Sequence, residues 1–338
     1  MDNVLELARC LAQRANLPPP QSLTRLTGGK NNRVFRAGES AILKLYHWDL
    51  RDPRDRLRAE WQFLSYAWAR GVRNIPRPLA KDDDAHAGLY SWMPGEVVDK
   101  VSPDHVEAAL GFLLAINAPP HDPAALDPGS EACFSLREHL ATINRRVARL
   151  AVIDPDVPQR AAAELLIRSR LMPLWELVQA TLLKEAERLG VELDAVLEQE
   201  SQCISPSDFG FHNALVDGSR IGFIDFEYAG RDDVAKLVCD FFCQPQVPVP
   251  LAYMEGFASR LITGLGLGRS HEVRCQLLLD AYRIKWACII LNDFLPVGSS
   301  RRAHAELIRN EERCVFQLAR ATAKLNEIAM KGPVRGVS

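Results

Sequence analysis

The chain carries almost no excess charge of either sign: 41 lysines and arginines stand against 43 aspartates and glutamates, a formal net charge of −2 at pH 7. A dedicated nucleic-acid binder needs a basic field and a solvated acidic tail needs the reverse, so neither class is expected. Long apolar runs are missing too. The longest, Trp286-Ala-Cys-Ile-Ile-Leu291, is far short of the ~20 residues that span a bilayer. The opening MDNVLELARCLAQRANL carries Asp2 and Glu6 and reads as an amphipathic helix rather than a secretory leader. No membrane span and a cytoplasmic location are therefore expected. The eight cysteines form no C-x-x-C pair and no Cys/His cluster at zinc-ligand spacing, which leaves buried thiols in a reducing compartment. Repeats and low-complexity linkers are absent as well. Against these absences, 338 residues, 47% of them hydrophobic, suffice for two domains or two lobes at roughly 100–200 residues per domain.

What is present changes character along the chain. Residues 22–93 are strand-like and rich in turns: Leu23–Leu26, Val34-Phe35-Arg36-Ala37, Ala41 to Tyr46 and Gly88-Leu-Tyr-Ser-Trp-Met93 are short runs broken by Gly28-Gly29, Ala-Gly-Glu-Ser and Pro94-Gly95. One helix interrupts them, with Leu57, Trp61, Leu64 and Trp68 at helical spacing and Gly71 as the stop. Beyond residue 93 helix dominates, over 105–117, 136–150, 160–189 (with a break near Met172-Pro173) and 251–330 (with a break at Pro296-Val-Gly). Set into it, residues 203–226 read as strand, loop and strand. The plan is α+β: a small N-terminal antiparallel sheet lobe with one helix over 1–93, led by helix 1–17, and a large helical C-terminal lobe over 94–338.

The chemistry concentrates in residues 204–227. Ala214–Val216 and Ile221–Ile224 flank Asp217-Gly218-Ser219-Arg220, a hairpin signal that sets Val216 opposite Ile221 and Asn213 opposite Ile224. Asp225 then lies one position from Asn213, and Asp208 sits five residues upstream in a loop aimed at the same end. Two carboxylates and a carboxamide form an oxygen-only donor set that suits Mg²⁺, and phosphoryl transfer needs such ligands together with a base for the attacking hydroxyl. Lys44 stands in an apolar strand, where a charge requires a partner. Glu60, sixteen residues on and beside the apolar face of the helix, supplies one. Gly28-Gly29 joins two strands, where backbone N–H groups can approach phosphate oxygens.

These residues resemble the aminoglycoside phosphotransferase and choline kinase group within the protein-kinase-like, bilobal fold, over about residues 23–242. The resemblance implies Asp208 as catalytic base in a loop over 204–213, Asn213 and Asp225 as magnesium ligands, Lys44 as the nucleotide-phosphate lysine with Glu60 its helix partner, and Gly28 and Gly29 in the phosphate-covering loop. It places Ser91, Trp92 and Met93, after Tyr90, at a hinge whose backbone bonds adenine. The family's H-x-D opening is here Ser205-Pro206-Ser207-Asp208, with Pro206 at the histidine position. The metal motif 225–227 ends in Glu227 rather than glycine, leaving it a second-metal carboxylate or a partner for an arginine. Asp232 supports the catalytic loop or is a solvated turn acid, and His212 is a packed loop residue. The expected activity is transfer of the γ-phosphoryl group of ATP, with Mg²⁺, to a hydroxyl of a small molecule such as an amino-alcohol, an aminoglycoside-like compound or a sugar. The alternatives are a nucleotide-binding regulator without turnover on the same fold, and a metal-dependent hydrolase using Asp208, Asp225 and Glu227. Asp240, set in the apolar run Leu237-Val-Cys-Asp-Phe-Phe242, is the acid best placed to receive a cationic acceptor.

Overall fold

Alternation along β3 (Ala41–Leu45) organises the first sheet. Its strands β1 (Leu23–Leu26), β2 (Arg33–Ala37), β3, β4 (Pro78–Asp82) and β5 (Ala87–Ser91) run in the order β1-β2-β3-β5-β4, each antiparallel to its neighbour. Ala41, Leu43 and Leu45 join Ala80, Ala87 and Leu89 in one apolar cluster, closed by Ala8, Leu11 and Ala12 of α1 (Asp2–Arg14). Leu11, Leu43 and Leu89 are wholly buried, each worth about 2 kcal/mol of apolar transfer. The opposite residues of the same strands, Lys44 and Tyr90, with Tyr46 just beyond β3, meet α2 (Arg56–Ala69). Asp55 caps that helix by accepting from the backbone N–H of Arg58, and Gly71 follows its end at φ +85°. The expected helix and all four of the expected strands are present. The strand β4 was not expected, because Pro78-Leu-Ala-Lys-Asp82 lacks a β-branched residue; it lies at the sheet edge, where proline and charge are tolerated.

The computed structural model describes residues 2–26, 32–49, 52, 54–120, 122–296 and 311–329. They fall into two compact units, one of residues up to 132 with Cys203–Asp232, the other of Cys133–Gln202 with the chain from Asp233 onward. The first unit adds α3 (Pro103–Ile116) and two small sheets. In one, β6 (Glu96–Val97), β8 (Ala214–Asp217) and β9 (Arg220–Phe223) pair in that order; in the other, β7 (Cys203–Ser205) pairs with β10 (Gly230–Asp232). Phe112 of α3 stacks on Phe209 and Phe223, which pins the β8–β9 hairpin to the helix. At Gly230 an added Cβ would run into the backbone of Asp127 and Gly129, so only glycine fits there.

The second unit has no strand among its described residues. Helix α9 (Arg269–Leu291) is its axis, packed by α4 (Leu136–Arg149), α6 (Met172–Arg188), α7 (Val234–Cys243), α8 (Met254–Gly264) and α10 (Glu311–Ala329). The break expected near Met172-Pro173 is instead a π-helical turn, Ile167–Leu171, joining α5 (Arg160–Leu166) to α6. The wider turn takes up the carbonyl four residues before Pro173, which the proline ring would otherwise meet. No helix among the described residues is long and apolar enough to cross a membrane.

Buried charge in this unit is fully partnered where it was expected to be open. Asp240 accepts from Lys285 Nζ at 2.8 and 3.0 Å and from Trp286 Nε1 at 2.9 Å, with Lys236 Nζ 3.7 Å away. With two ammonium groups already on it and 4% of its surface exposed, Asp240 is not a docking point for an amine. His139 bonds Tyr282 Oη through Nδ1 at 2.7 Å and Asp233 Oδ2 through Nε2 at 3.1 Å, and Asp233 is also held by Arg274. Burial works to lower the His139 pKa, but the bond to Asp233 leads the effects that outweigh it and raise the imidazole to about 9. A raised value in the fold means that its stabilisation is complete below pH 6.5, the ordinary value, and is lost as pH rises through about 9. Urea unfolding at pH 6.5 and near pH 10 is expected to show a fall of up to about 3 kcal/mol, and His139→Gln should flatten that slope. An unchanged slope in the variant would remove His139 as its source.

Candidate active site

The β8–β9 hairpin sets the first half of the site. Val216 pairs with Ile221 and Ala214 with Phe223, and the next backbone bond, Ile224 N–H to Asn213 O at 2.9 Å, places Asn213 opposite Ile224 as the spacing requires. Asn213 Nδ2 donates to the backbone carbonyl of Asp208 at 3.0 Å, which fixes the amide and turns Oδ1 away from that bond. The Asp208 side chain is 37% exposed, with His212 Nε2 at 3.4 Å from Oδ1. His212 is nine-tenths buried, a packed loop residue as expected, though one lying against the carboxylate. The loop is anchored behind by Asn117, which brackets Ile204: Nδ2 donates to its carbonyl at 3.0 Å and Oδ1 accepts from its N–H at 2.8 Å. Asp232 is wholly buried on β10 opposite Cys203, not a solvated acid.

The second half grows from the first sheet. Lys44 projects from β3 toward α2, and its Nζ donates to Glu60 Oε2 at 2.6 Å and to Asp225 Oδ1 at 2.5 Å. Asp225 has φ +68°, a left-handed conformation that aspartate tolerates at some cost. The bend follows β9 directly and sends Phe226 into the core, where it stacks on Phe63 at 4.5 Å. Glu60 is the hub: besides Lys44 it accepts from Tyr46 Oη at 2.6 Å and, through Oε1, from the Phe226 N–H at 3.3 Å. Because the Tyr46 proton goes to Glu60, Tyr90 must donate in the 2.7 Å bond between the two phenols. Burial, and then the Glu60 charge, push the Tyr46 and Tyr90 pKa values up, so both remain neutral donors. Burial works to lower the Lys44 pKa, but Asp225, Glu60 and Glu227 outweigh it and hold the ammonium well above its ordinary range.

Lys44, Glu60 and Asp225 are thus in direct contact, and Asp208 and Asn213 are joined to them through Ile224. Glu227 is buried, accepting from Asn32 Nδ2 at 2.6 Å with Arg56 Nε 3.8 Å away, an arginine beside it as one of the two readings expects. Gly28 and Gly29 lie outside the described residues. Ser91 N–H donates to Arg77 O at 2.9 Å and Trp92 N–H to Ser40 O at 2.8 Å, so of the three hinge residues the backbone N–H groups of these two are already in use. Three residues escaped the sequence reading: Asn32, Tyr46 and Arg56. For Tyr46 a signal existed, since it continues the Lys44 alternation; the other two had none.

A divalent cation fits the donor set. Asp225 offers a carboxylate that is 39% exposed and Asn213 an amide oxygen of fixed orientation. Among the described residues no three His, Cys, Asp or Glu side chains are grouped to hold a metal by themselves. A pair of protein oxygens is what Mg²⁺ takes when substrate phosphates and waters complete its shell.

A model described as the phosphotransferase enzyme family matches residues 22–259. No curated protein sequence matches the chain. Among solved structures, it is similar to the spectinomycin phosphotransferase APH(9)-Ia in complex with ADP and spectinomycin, at 13% identity, 96% of each chain covered and a TM-score of 0.58. It is also similar to the GDP complex of aminoglycoside 2'-phosphotransferase-IIIa (14% identity, 97% of this chain and 99% of that one, TM-score 0.57). A third likeness is to the gentamicin complex of APH(2")-IIa (15% identity, 95% of each chain, TM-score 0.56). What is shared at these identities is the fold, the expected α+β, protein-kinase-like one.

Proposed function

The chain belongs to the phosphotransferase enzyme family, and from that premise we propose that it moves the γ-phosphoryl group of ATP onto a hydroxyl of a small molecule, an amino-alcohol, an aminoglycoside-like compound or a sugar. The observation that carries the reading is the Lys44–Glu60–Asp225 contact: a buried cation held between two carboxylates, one of which is 39% exposed. Asp208 is the base, since its carboxylate is reachable and its backbone is fixed by Asn213; it takes the proton of the attacking hydroxyl as the phosphoryl group departs the nucleotide. Lys44, steered by Glu60, holds its positive charge toward the phosphates, where it is worth most in a water-poor site. Asn213 and Asp225 would hold Mg²⁺, which when bound neutralises charge on the phosphate oxygens. Residues 1–93 are assigned to the nucleotide, with the Met93 N–H as the hinge donor to the base, and the helices beyond to the acceptor. With all eight cysteines free, the working compartment is the cytoplasm.

The test is ADP formation from ATP and Mg²⁺ with a panel of aminoglycosides, amino-alcohols and sugars, measured against acceptor-free hydrolysis. At least one acceptor is expected to raise the rate clearly. Nucleotide binding with no acceptor-dependent turnover across the panel would favour the regulator, and turnover of phosphate esters without nucleotide would favour the hydrolase.

A further inference from the structure

Glu227 occupies a place in the motif that invites a metal, yet its surroundings are those of a carboxylate already in use. It is 3% exposed, against 39% for the Asp225 side chain. Its Oε2 accepts from Nδ2 of Asn32, 195 residues away in sequence, at 2.6 Å. Asn32 is itself buried, and its Oδ1 accepts from the backbone N–H of His47 at 3.4 Å. Arg56, wholly buried, brings Nε to 3.8 Å from the same carboxylate oxygen while Nη1 donates to His47 O at 3.1 Å and Nη2 to Asp52 Oδ2 at 2.6 Å. Two donors from separate segments therefore meet on one carboxylate, Asn32 at the entry to β2 and Arg56 in the first turn of α2, and both are tied in turn to His47 in the stretch leaving β3 beyond Lys44. A carboxylate in such a place is stable only while those donors stay on it.

We propose that Glu227 anchors a clamp rather than a metal, and that Asn32 is the positioning residue through which it ties the start of β2 to the segment bearing Asp225. The clamp sets where the start of β2 stands against the Asp225 segment, and its role in holding a triphosphate rests on the phosphotransferase reading above. A hydrogen bond to a carboxylate contributes more than a neutral one, and leaving its buried partner unmet costs more again.

Two substitutions separate clamp from metal ligand because they fail in opposite ways. Glu227→Gln removes the charge a metal needs but keeps an oxygen that accepts from Asn32. Asn32→Leu keeps the charge and removes the clamp, with Asn32→Ser, too short to reach, as the milder choice if the leucine variant does not fold. The readout is the dissociation constant of a non-hydrolysable ATP analogue by calorimetry, with and without Mn²⁺, on the full chain. For a clamp, loss of the Asn32 amide is expected to weaken analogue binding roughly tenfold or more whether or not Mn²⁺ is present, while Glu227→Gln costs within about threefold. If Glu227→Gln instead weakens binding strongly, and only with Mn²⁺ present, while the Asn32 variants bind normally, Glu227 is a metal ligand and the clamp is rejected. Normal binding by both the Asn32 and Glu227 variants rejects it as well. Failure of the unsubstituted protein to bind the analogue strikes the nucleotide reading itself, and the clamp is then decided by ligand-free urea unfolding: non-additive losses in an Asn32→Ser/Glu227→Ala cycle keep it, additive ones reject it.

Discussion

Asp208→Asn is expected to lower turnover by about a hundredfold to ten-thousandfold, the span associated with a positioned proton acceptor, while the affinity for nucleotide stays where it was. The geometry explains why the two readouts should part. Asn213 is held by the backbone carbonyl of Asp208, not by its carboxylate, so the amide substitution leaves the side of the loop proposed to hold magnesium standing. Only the group proposed to receive the hydroxyl proton is lost. The measurement is kcat with the best acceptor of the panel, beside the thermal shift produced by a non-hydrolysable ATP analogue. Turnover at the normal rate would remove Asp208 as the base. A lost thermal shift with the fold intact would move Asp208 to the nucleotide-holding side of the site.

Lys44→Met is expected to lower stability and activity together. The ammonium is the shared partner of Glu60 and Asp225, and taking it away leaves the Glu60 side chain, only 4% exposed, with its charge opposed by neutral donors alone. Removing one member of a buried ion pair costs on the order of 3–5 kcal/mol, and the half-exposed Asp225, which water can reach, adds little to that. Activity should fall by about a hundredfold or more, because in the proposed reaction the lost charge faces the transferring group. Lys44→Met combined with Glu60→Leu should recover part of the stability, since no orphaned charge remains beside the new methionine, but none of the activity. Urea unfolding and kcat/KM on the three proteins check this; a single variant as stable as the parent would mean that Lys44 does not compensate Glu60.

The parts of the site that could be read from sequence are those where one local pattern leaves little choice. A lysine in Ala41–Leu45 must either be paired or bear an unpaired buried charge, and the only acid facing it from the next helix is Glu60. The two-residue turn after Asp217 fixes pairing by arithmetic, so Asn213 and Ile224 had to meet. Short edge strands escaped because they carry almost no pattern: β6 is two residues long, and β4 opens on a proline. The proline at position 173 looked like a break because a straight helix cannot absorb it; a π-helical turn can, and nothing local announces one.

Asp240 and Glu227 show the limit of that reading most clearly. Each is an acid beside apolar residues, which in sequence looks equally like a vacancy for a ligand or a partner awaiting a cation. Alternation, turn chemistry and helical spacing determined the elements, their order and the neighbours each strand would have, since those depend on residues a few positions apart. Which cation would close on which carboxylate was decided only when segments 195 residues apart (Asn32 and Glu227) or 45 apart (Asp240 and Lys285) came into contact. The energy of a charge is set by what surrounds it once water has left, and that is a property of the packed chain.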